Sequence, residues 1–352
     1  MGLTLVGIAL LTLILFAWLI VTKRQMEQLK NVKAQEDREK RVKLSVTAKY
    51  LKWSVATSIL LVSIIGVITL MSGDSEESMD LMHAHGLGYS PDGKEMIIPA
   101  HDGLRIYEDG SWMAAEGPKH DYMGFAPSSD GFYSSGHPAP GSALKNPLGI
   151  VKSTDGGKTI QTLVLDGQTD FHLLAVGYSS HVIYAMNPQA NSIMDEPGLY
   201  FSTDDAKTWT KSQSNGIREE PISLAVHPSK DAIVALGTPT GVYLSKDNGN
   251  HFEKVVTNGQ ATALLFNEEG DLFMGGYQNN ANLQKMNVEN RKAEKLPIPT
   301  LTEDAIAYIA QNPSNKNELS FVTFKKDVYI SDNQGLDWKR IAEQGKVITD
   351  GE

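Results

Sequence analysis

Histidine side chains at the ends of short apolar segments are the residues of this chain best suited to bind a metal ion. His83 and His85 are separated by one residue, and His101 follows the next apolar stretch. Imidazoles at positions i and i+2 of a strand point to the same side, and imidazole nitrogen is a frequent ligand of transition metals. We therefore predict a divalent transition-metal site. Its expected ligands are His83, His85 and His101, and the carboxylates available to complete or orient it are Asp80, Asp121 and Asp170.

A second group of histidines is predicted to contact a bound ligand. His120, His137 and His172 each lie close to the start or end of a predicted strand. The long insertions "GHPAPGSALKNPLG" and "NPQANSIMDEPG" follow neighbouring strands, and loops on a rigid scaffold commonly carry binding residues. All of these histidines could instead hydrogen-bond to loops, because no H-E-x-x-H or comparable motif is present. The identity of any cofactor therefore stays open.

Carboxylates raise a second possibility, glycoside hydrolysis, which needs an acid and a nucleophile or base on opposite sides of a sugar. The predicted catalytic residues are Asp121, Asp170 and Glu219, and Glu220, Glu303 and Asp304 map to the same region. A solvated acidic rim would show the same pattern. Sialidase activity is disfavoured, because binding of a sialic acid carboxylate requires a cluster of arginines. Only four arginines are available beyond Gly73, namely Arg105, Arg218, Arg291 and Arg340.

A recurrent polar turn indicates the elements that position these side chains. "STDGGKTI" at Ser153 returns as "STDDAKTW" at Ser202, "SKDNGNHF" at Ser245 and "SDNQGLDW" at Ser331. The successive spacings are 49, 43 and 86 residues, which leaves room for one degenerate copy near Lys285–Leu296. A related stretch, "IYEDGSW", precedes the first full copy. Repeats of about 40 to 50 residues built from short strands are typical of β-propellers.

The repeat predicts an all-β, six-bladed β-propeller between Leu81 and Ala342. A seven-bladed ring is the alternative, if "SMDLMHAH" or "GKVITDGE" adds strands that close it. In a blade, the start of the first strand and the end of the second share one face, called here the top face. Six of the nine histidines map to the top face of the first three blades.

The recurrent turn is predicted to be structural. Its short polar side chains can hydrogen-bond to its own backbone, glycine can adopt a positive φ, and the aromatic residue can pack at the blade edge. The residues expected in this role are Ser153, Asp155, Gly157, Ser202, Asp204, Trp209, Ser245, Asp247, Gly249, Ser331, Gly335 and Trp338. Departures from the pattern at Ile160, Ala206 and Asn333 predict looser turns.

The pattern S-x-D-x-G-x-x-W resembles the Asp-box, or BNR repeat, of bacterial sialidases, sortilin-type receptors and Ycf48-type photosystem II assembly factors. The stretch "HAHGLGYSPDGK" is similar to bacterial membrane or secreted Asp-box proteins that are labelled glycosyl hydrolases. The resemblance implies a propeller with the box between the third and fourth strands, away from the ligand face. It does not define an activity, because one fold carries many functions.

Two uncharged runs of 21 residues, Gly2–Thr22 and Trp53–Gly73, are long enough to span a membrane as helices. The connector between them carries a net charge of +6. We therefore expect a cytoplasmic connector at 23–52 between transmembrane helices at 1–22 and 53–73. An acidic linker at 74–80 and an extracytoplasmic propeller at 81–352 would follow. The chain would then be a multi-pass protein of the cell membrane, on a bacterial cell surface.

Charge and composition limit the possible functions. The part beyond Gly73 carries a net charge of −16, which disfavours nucleic-acid binding. The absence of cysteine excludes disulfides and thiolate chemistry. Two hypotheses remain. The favoured one is a binding or assembly module for a glycan, an extracytoplasmic protein or a metal ion on the top face, and the alternative is a glycoside hydrolase-like enzyme that is not a true sialidase.

Overall fold

The computed structural model describes residues 2–30, 35–71, 79–257 and 259–349 of the chain. These residues divide into two compact units, Met1–Ser78 and Met79–Glu352. The first unit contains helices α1 (Gly2–Gln28) and α2 (Gln35–Met71). In the second, residues 79–257 and 259–349 form strands and their connections. Most of the predicted acidic linker at 74–80 lies outside the described residues.

Helices α1 and α2 pack against each other and bury Leu19, Leu51 and Val55. Many other apolar side chains of the pair, such as Trp18 and Trp53, stay exposed. In the part of the two helices that the structure describes, no stretch is both long and apolar enough to cross a membrane. This finding does not support the transmembrane hairpin expected from the sequence, and parts of both predicted spans lie outside the residues whose side chains are described.

The described residues of the second unit form 25 strands in six sheets. Blade 1 consists of β1 (Gly88–Tyr89), β2 (Met96–Ala100), β3 (Gly103–Glu108) and β4 (Ser111–Ala114). Blade 2 consists of β5 (Asp121–Ser128), β6 (Gly131–His137), β7 (Ile150–Ser153) and β8 (Gln161–Val164). Blade 3 consists of β9 (Leu174–Val176), β10 (Ile183–Asn187), β11 (Gly198–Ser202) and β12 (Thr210–Lys211).

The other three blades follow the same order. Blade 4 consists of β13 (Ser223–Val226), β14 (Val234–Thr238), β15 (Gly241–Ser245) and β16 (Glu253–Val256). Blade 5 consists of β17 (Gln260–Phe266), β18 (Asp271–Gln278), β19 (Asn280–Asn287) and β20 (Ala293–Leu296). Blade 6 consists of β21 (Ile306–Gln311), β22 (Leu319–Thr323), β23 (Val328–Ser331), β24 (Lys339–Glu343) and β25 (Lys346–Val347).

Each sheet is an antiparallel meander in which strands pair in chain order. The second and third strands are largely buried and apolar, as in "VALGT" and "GVYLS", whereas the fourth strands are mostly half-buried or exposed. Short strands with a buried face and polar turns favour this arrangement, because every blade then packs between two neighbours. The prediction of six blades is confirmed, and the seven-bladed alternative is wrong because the tail adds β25 to blade 6 instead of forming a further sheet.

The hydrophobic core is divided among the six seams between neighbouring blades. Each of six clusters of buried side chains contains residues from two adjacent blades. The cluster between blades 6 and 1 includes Met96, Ile98, Val322 and Ile341, so packing closes the ring. A hydrogen bond from the backbone N–H of Leu81 to the carbonyl of Gly345 joins the two ends of the unit at 2.6 Å.

The recurrent turn connects the third and fourth strands of blades 2, 3, 4 and 6. In each copy the serine Oγ donates to the Oδ1 atom two residues later and accepts from the backbone N–H four residues later. The serine-to-Oδ1 distances are 2.8–2.9 Å, and the N–H-to-serine distances are 2.9–3.0 Å. Contrary to the expectation of looser turns, Ala206 and Asn333 keep this geometry. Ala206 does so by adopting a φ of 63°.

Candidate functional site

The histidines divide cleanly between the two faces of the ring. The six that the sequence assigns to the top face lie before a first strand or at the end of a second strand in blades 1 to 3. The remaining three, His181, His227 and His251, lie in turns on the opposite face. The recurrent turns are on that opposite face as well, so they are not part of a site formed by the six top-face histidines.

The first cluster joins blades 1 and 2 and consists of His85, His101 and Asp121. His85 precedes β1, His101 follows β2, and Asp121 begins β5. Asp121 Oδ2 lies 2.8 Å from His101 Nδ1, and Asp121 Oδ1 lies 3.5 Å from His85 Nε2. One potential ligand atom from each residue lies within 4.8 Å of the others. The structure therefore brings together two of the three predicted metal ligands and one predicted carboxylate.

His83, the third predicted metal ligand, lies beside this cluster. Its ring stacks on His85 and meets His101 edge-on, with centroids 6.0 Å apart in each case. Burial lowers the pKa of the His85 imidazole, and the negative charge of Asp121 opposes that shift. The other imidazoles nearby also lower the pKa of His85, so a neutral ring is favoured at this position.

The second cluster joins blades 2 and 3 and consists of His137, His172 and Asp170. Asp170 Oδ2 lies 2.9 Å from His172 Nε2 and 3.5 Å from His137 Nε2. Ser135 donates a hydrogen bond of 3.3 Å to Asp170 Oδ1 and accepts one from the backbone N–H of Phe171. This buried serine was not among the predicted site residues. The pair of small hydroxyl residues inside the apolar strand "GFYSSGH" is the signal that could have revealed it.

The insertions after β6 and β10 border this part of the top face. Asn146 Oδ1 lies 2.6 Å from His137 Nδ1, which ties the blade 2 insertion to the second cluster. In blade 3, Asn191 donates hydrogen bonds to Thr169 and Asn187, and Gln168 accepts one from Ser192. The insertions are thus held against the scaffold next to the clusters.

Two of the predicted site residues lie apart from both clusters. His120 is buried, and its Nδ1 accepts a hydrogen bond of 2.8 Å from the backbone N–H of Ala139. Burial lowers its pKa, and the contact joins the blade 2 insertion to the residue before β5. Glu219 accepts hydrogen bonds from Thr240 and Tyr243 in blade 4. The hydrogen bond from Thr240 is the main cause of a lowered pKa at Glu219.

The first strands of all six blades surround a central channel of about 270 Å³. His85 and His172 line its top end, whereas Glu268 and Lys316 line the other. The top-face clusters therefore lie at the mouth of the channel. A ligand at the mouth could contact both clusters and the two insertions.

Comparison with known proteins shows the fold alone. No family model matches the chain, and no curated protein matches it. A gluconolactonase structure from Xanthomonas campestris has a TM-score of 0.51 at 11% identity, over 72% of this chain and 87% of that one. A GH74 enzyme from Niastella koreensis has a TM-score of 0.49 at 15% identity, over 74% and 46%, so the chain spans about half of that enzyme. Ycf48 bound to a D1 peptide has a TM-score of 0.43 at 13% identity, over 74% and 82%.

Proposed function

We propose that the protein is a binding module that holds a glycan on the top face of blades 1 to 3. The observation that carries the proposal is the pair of adjacent His–Asp clusters at the channel mouth. Asp121 reaches across a seam between blades to His85 and His101, and Asp170, in the connection to β9, contacts His137 of blade 2 and the neighbouring His172. Such groups combine hydrogen-bond donors and acceptors in fixed positions, which is how polar ligands are oriented in concave sites.

The two insertions support a role in binding. Loops normally vary and move more than the strands they connect, yet these loops are bonded to the scaffold next to the clusters. A loop that is already ordered loses less conformational entropy when a ligand binds. Asn146 in particular leaves His137 Nε2 directed at Asp170 by engaging the other ring nitrogen.

The hydrolase alternative has weaker support. A glycosidase needs one carboxylic acid with a raised pKa to protonate the leaving group. Burial raises the pKa of Glu95 and Glu268, but both lie in turns between first and second strands, on the face opposite the clusters. Glu219, one of the predicted catalytic residues, has a lowered pKa, which does not suit an acid.

The shared geometry of the four polar turns supports assigning the propeller to the Asp-box class.

Retention and turnover of the same probes test the proposal. The untagged full-length chain is applied to immobilised cell-wall glycan fragments, and parallel samples are assayed for released reducing ends. We expect retention of at least one fragment class without release, because the clusters hold polar groups in fixed positions and the raised carboxyl pKa values are those of Glu95 and Glu268 on the opposite face. Release that is abolished by Asp121→Asn or Asp170→Asn would contradict the proposal and favour the hydrolase.

A further inference from the structure

Two polar atoms of the first cluster are buried without a hydrogen-bond partner. Asp121 is only 8% exposed, and among the described residues neither its Oδ1 nor His85 Nε2 has such a partner. A buried polar atom left unsatisfied costs about 1–3 kcal/mol, and more if it is charged. A cation that accepts one lone pair from Asp121 Oδ1 and one from His85 Nε2 would remove that cost.

The two atoms are spaced as ligands of one cation would be. They lie 3.5 Å apart. Ligands of a tetrahedral zinc ion at about 2.0–2.1 Å are separated from one another by about 3.3 Å. The exposed His101 ring lies on the other side of the Asp121 carboxylate, and its potential ligand atom is within 4.8 Å of the other two. A small rotation of this ring would complete a set of three donors.

We propose that the first cluster binds a first-row divalent transition-metal ion between His85, His101 and Asp121. Two imidazole nitrogens and one carboxylate oxygen suit zinc, cobalt or nickel, whereas calcium and magnesium prefer oxygen ligands alone. Three protein ligands leave at least one coordination position open, as in catalytic zinc sites. This inference rests on the proposed function, because the open position at the channel mouth would then receive a donor atom of the bound glycan.

The second cluster does not share these features, although its composition is the same. Ser135 engages Asp170 Oδ1, and Asn146 engages His137 Nδ1. Both oxygens of Asp170 therefore already have partners, since His172 lies 2.9 Å from Oδ2. We assign the second cluster to direct contact with a ligand and use it as the internal control for the first.

Zinc binding by the untagged full-length chain tests the inference. The chain is treated with a chelator, titrated with Zn²⁺ and analysed for bound metal, and Co²⁺ is used as a spectroscopic probe of coordination by nitrogen and oxygen. We expect one ion per chain. Loss of a partner outside the metal's own ligands costs about 10–100-fold in affinity, so removal of a ligand should cost more than about 100-fold.

The variants are chosen so that folding does not decide the result. Asp121→Asn removes a buried carboxylate, so its folding is checked by circular dichroism and by the unfolding midpoint. His101→Ala changes an exposed side chain and should fold normally while losing the metal. His172→Ala changes an exposed histidine of the second cluster, and this variant should still bind the metal ion.

Each outcome separates the metal from the glycan. Absence of stoichiometric zinc, or equal affinity in the native chain and His101→Ala, would overturn the metal inference. If no stoichiometric zinc binds and glycan retention persists in the presence of chelator, the metal inference fails while the proposed function stands. If zinc binds and is lost in His101→Ala but no glycan is retained, the metal site stands and the proposed function fails. Zinc-dependent retention that is lost in His101→Ala would support both.

Discussion

Individual residues of the polar turn show how one geometry is kept by different chemistry. In blades 2 and 3, the second aspartate oxygen accepts a hydrogen bond of 2.7 Å from Thr159 or Thr208. In blade 6, Asn333 replaces the aspartate and donates to Asp337 Oδ2 at 3.1 Å. The substitution at 333 is therefore compensated at 337, which a position-by-position comparison with the pattern does not show.

A double-mutant cycle tests this compensation. Asn333→Asp alone would place two carboxylates together and remove one hydrogen bond, so we expect it to lower the free energy of unfolding by about 1 kcal/mol. Asn333→Asp combined with Asp337→Thr would restore the arrangement seen at Asp204 and Thr208, and we expect most of that loss to be recovered. Denaturant unfolding of the native chain, the single variants Asn333→Asp and Asp337→Thr, and the double variant provides the measurement. Equal effects with and without Asp337→Thr would show that the two positions are independent.

At the scale of the element, the sequence predicted the strands and turns well because their signals are local. The segments "GLYFS" and "GVYLS", which end at the first serine of a recurrent turn, form β11 and β15. The partners of His137 and Asp170 were harder to predict. Asn146 reaches His137 across an irregular insertion, and Ser135 reaches Asp170 from the neighbouring blade. Both contacts depend on how blades and loops pack, which a local pattern does not encode.

The polar turns should also give the propeller a defined sensitivity to acid. Hydrogen bonds from Thr208 lower the pKa of Asp204 from 3.8 to about 2, and those from His251 lower the pKa of Asp247 from 3.8 to about 2. A carboxylate with a lowered folded-state pKa stabilises the fold above its unfolded pKa, and the contribution is lost as the group is protonated. We therefore expect stability to fall as the pH is lowered from about 4 to about 2.

Unfolding midpoints at a series of pH values check this expectation. The matched variant Asp204→Asn/Asp247→Asn cannot be protonated at these positions, so its midpoint should depend less steeply on pH over the same range. The native chain and the variant are compared in one buffer series at constant ionic strength. An identical dependence in both would mean that the turn carboxylates do not contribute to acid sensitivity.

At the scale of the whole molecule, the ring explains why residues far apart in the chain meet. Trp112 of blade 1 donates a hydrogen bond of 3.0 Å to the carbonyl of Ile341 in blade 6. Closure of this kind depends on contacts between the two ends of the unit, so the sequence left six and seven blades open. The same ring brings the starts of first strands and the ends of second strands to one face. That topology is why the sequence could assign the histidines to a face but not pair them with their aspartates.

The central claim is that the function of this protein lies on the top face of blades 1 to 3, and one matched comparison tests it most directly. His172 is 69% exposed and lies 2.9 Å from Asp170 on the top face, while His251 is 74% exposed and lies 2.7 Å from Asp247 on the opposite face. Retention of cell-wall glycan fragments is measured for the native chain, His172→Ala and His251→Ala. We expect His172→Ala to weaken retention and His251→Ala to leave it unchanged. Loss of retention in His251→Ala with full retention in His172→Ala would place the binding surface on the opposite face instead.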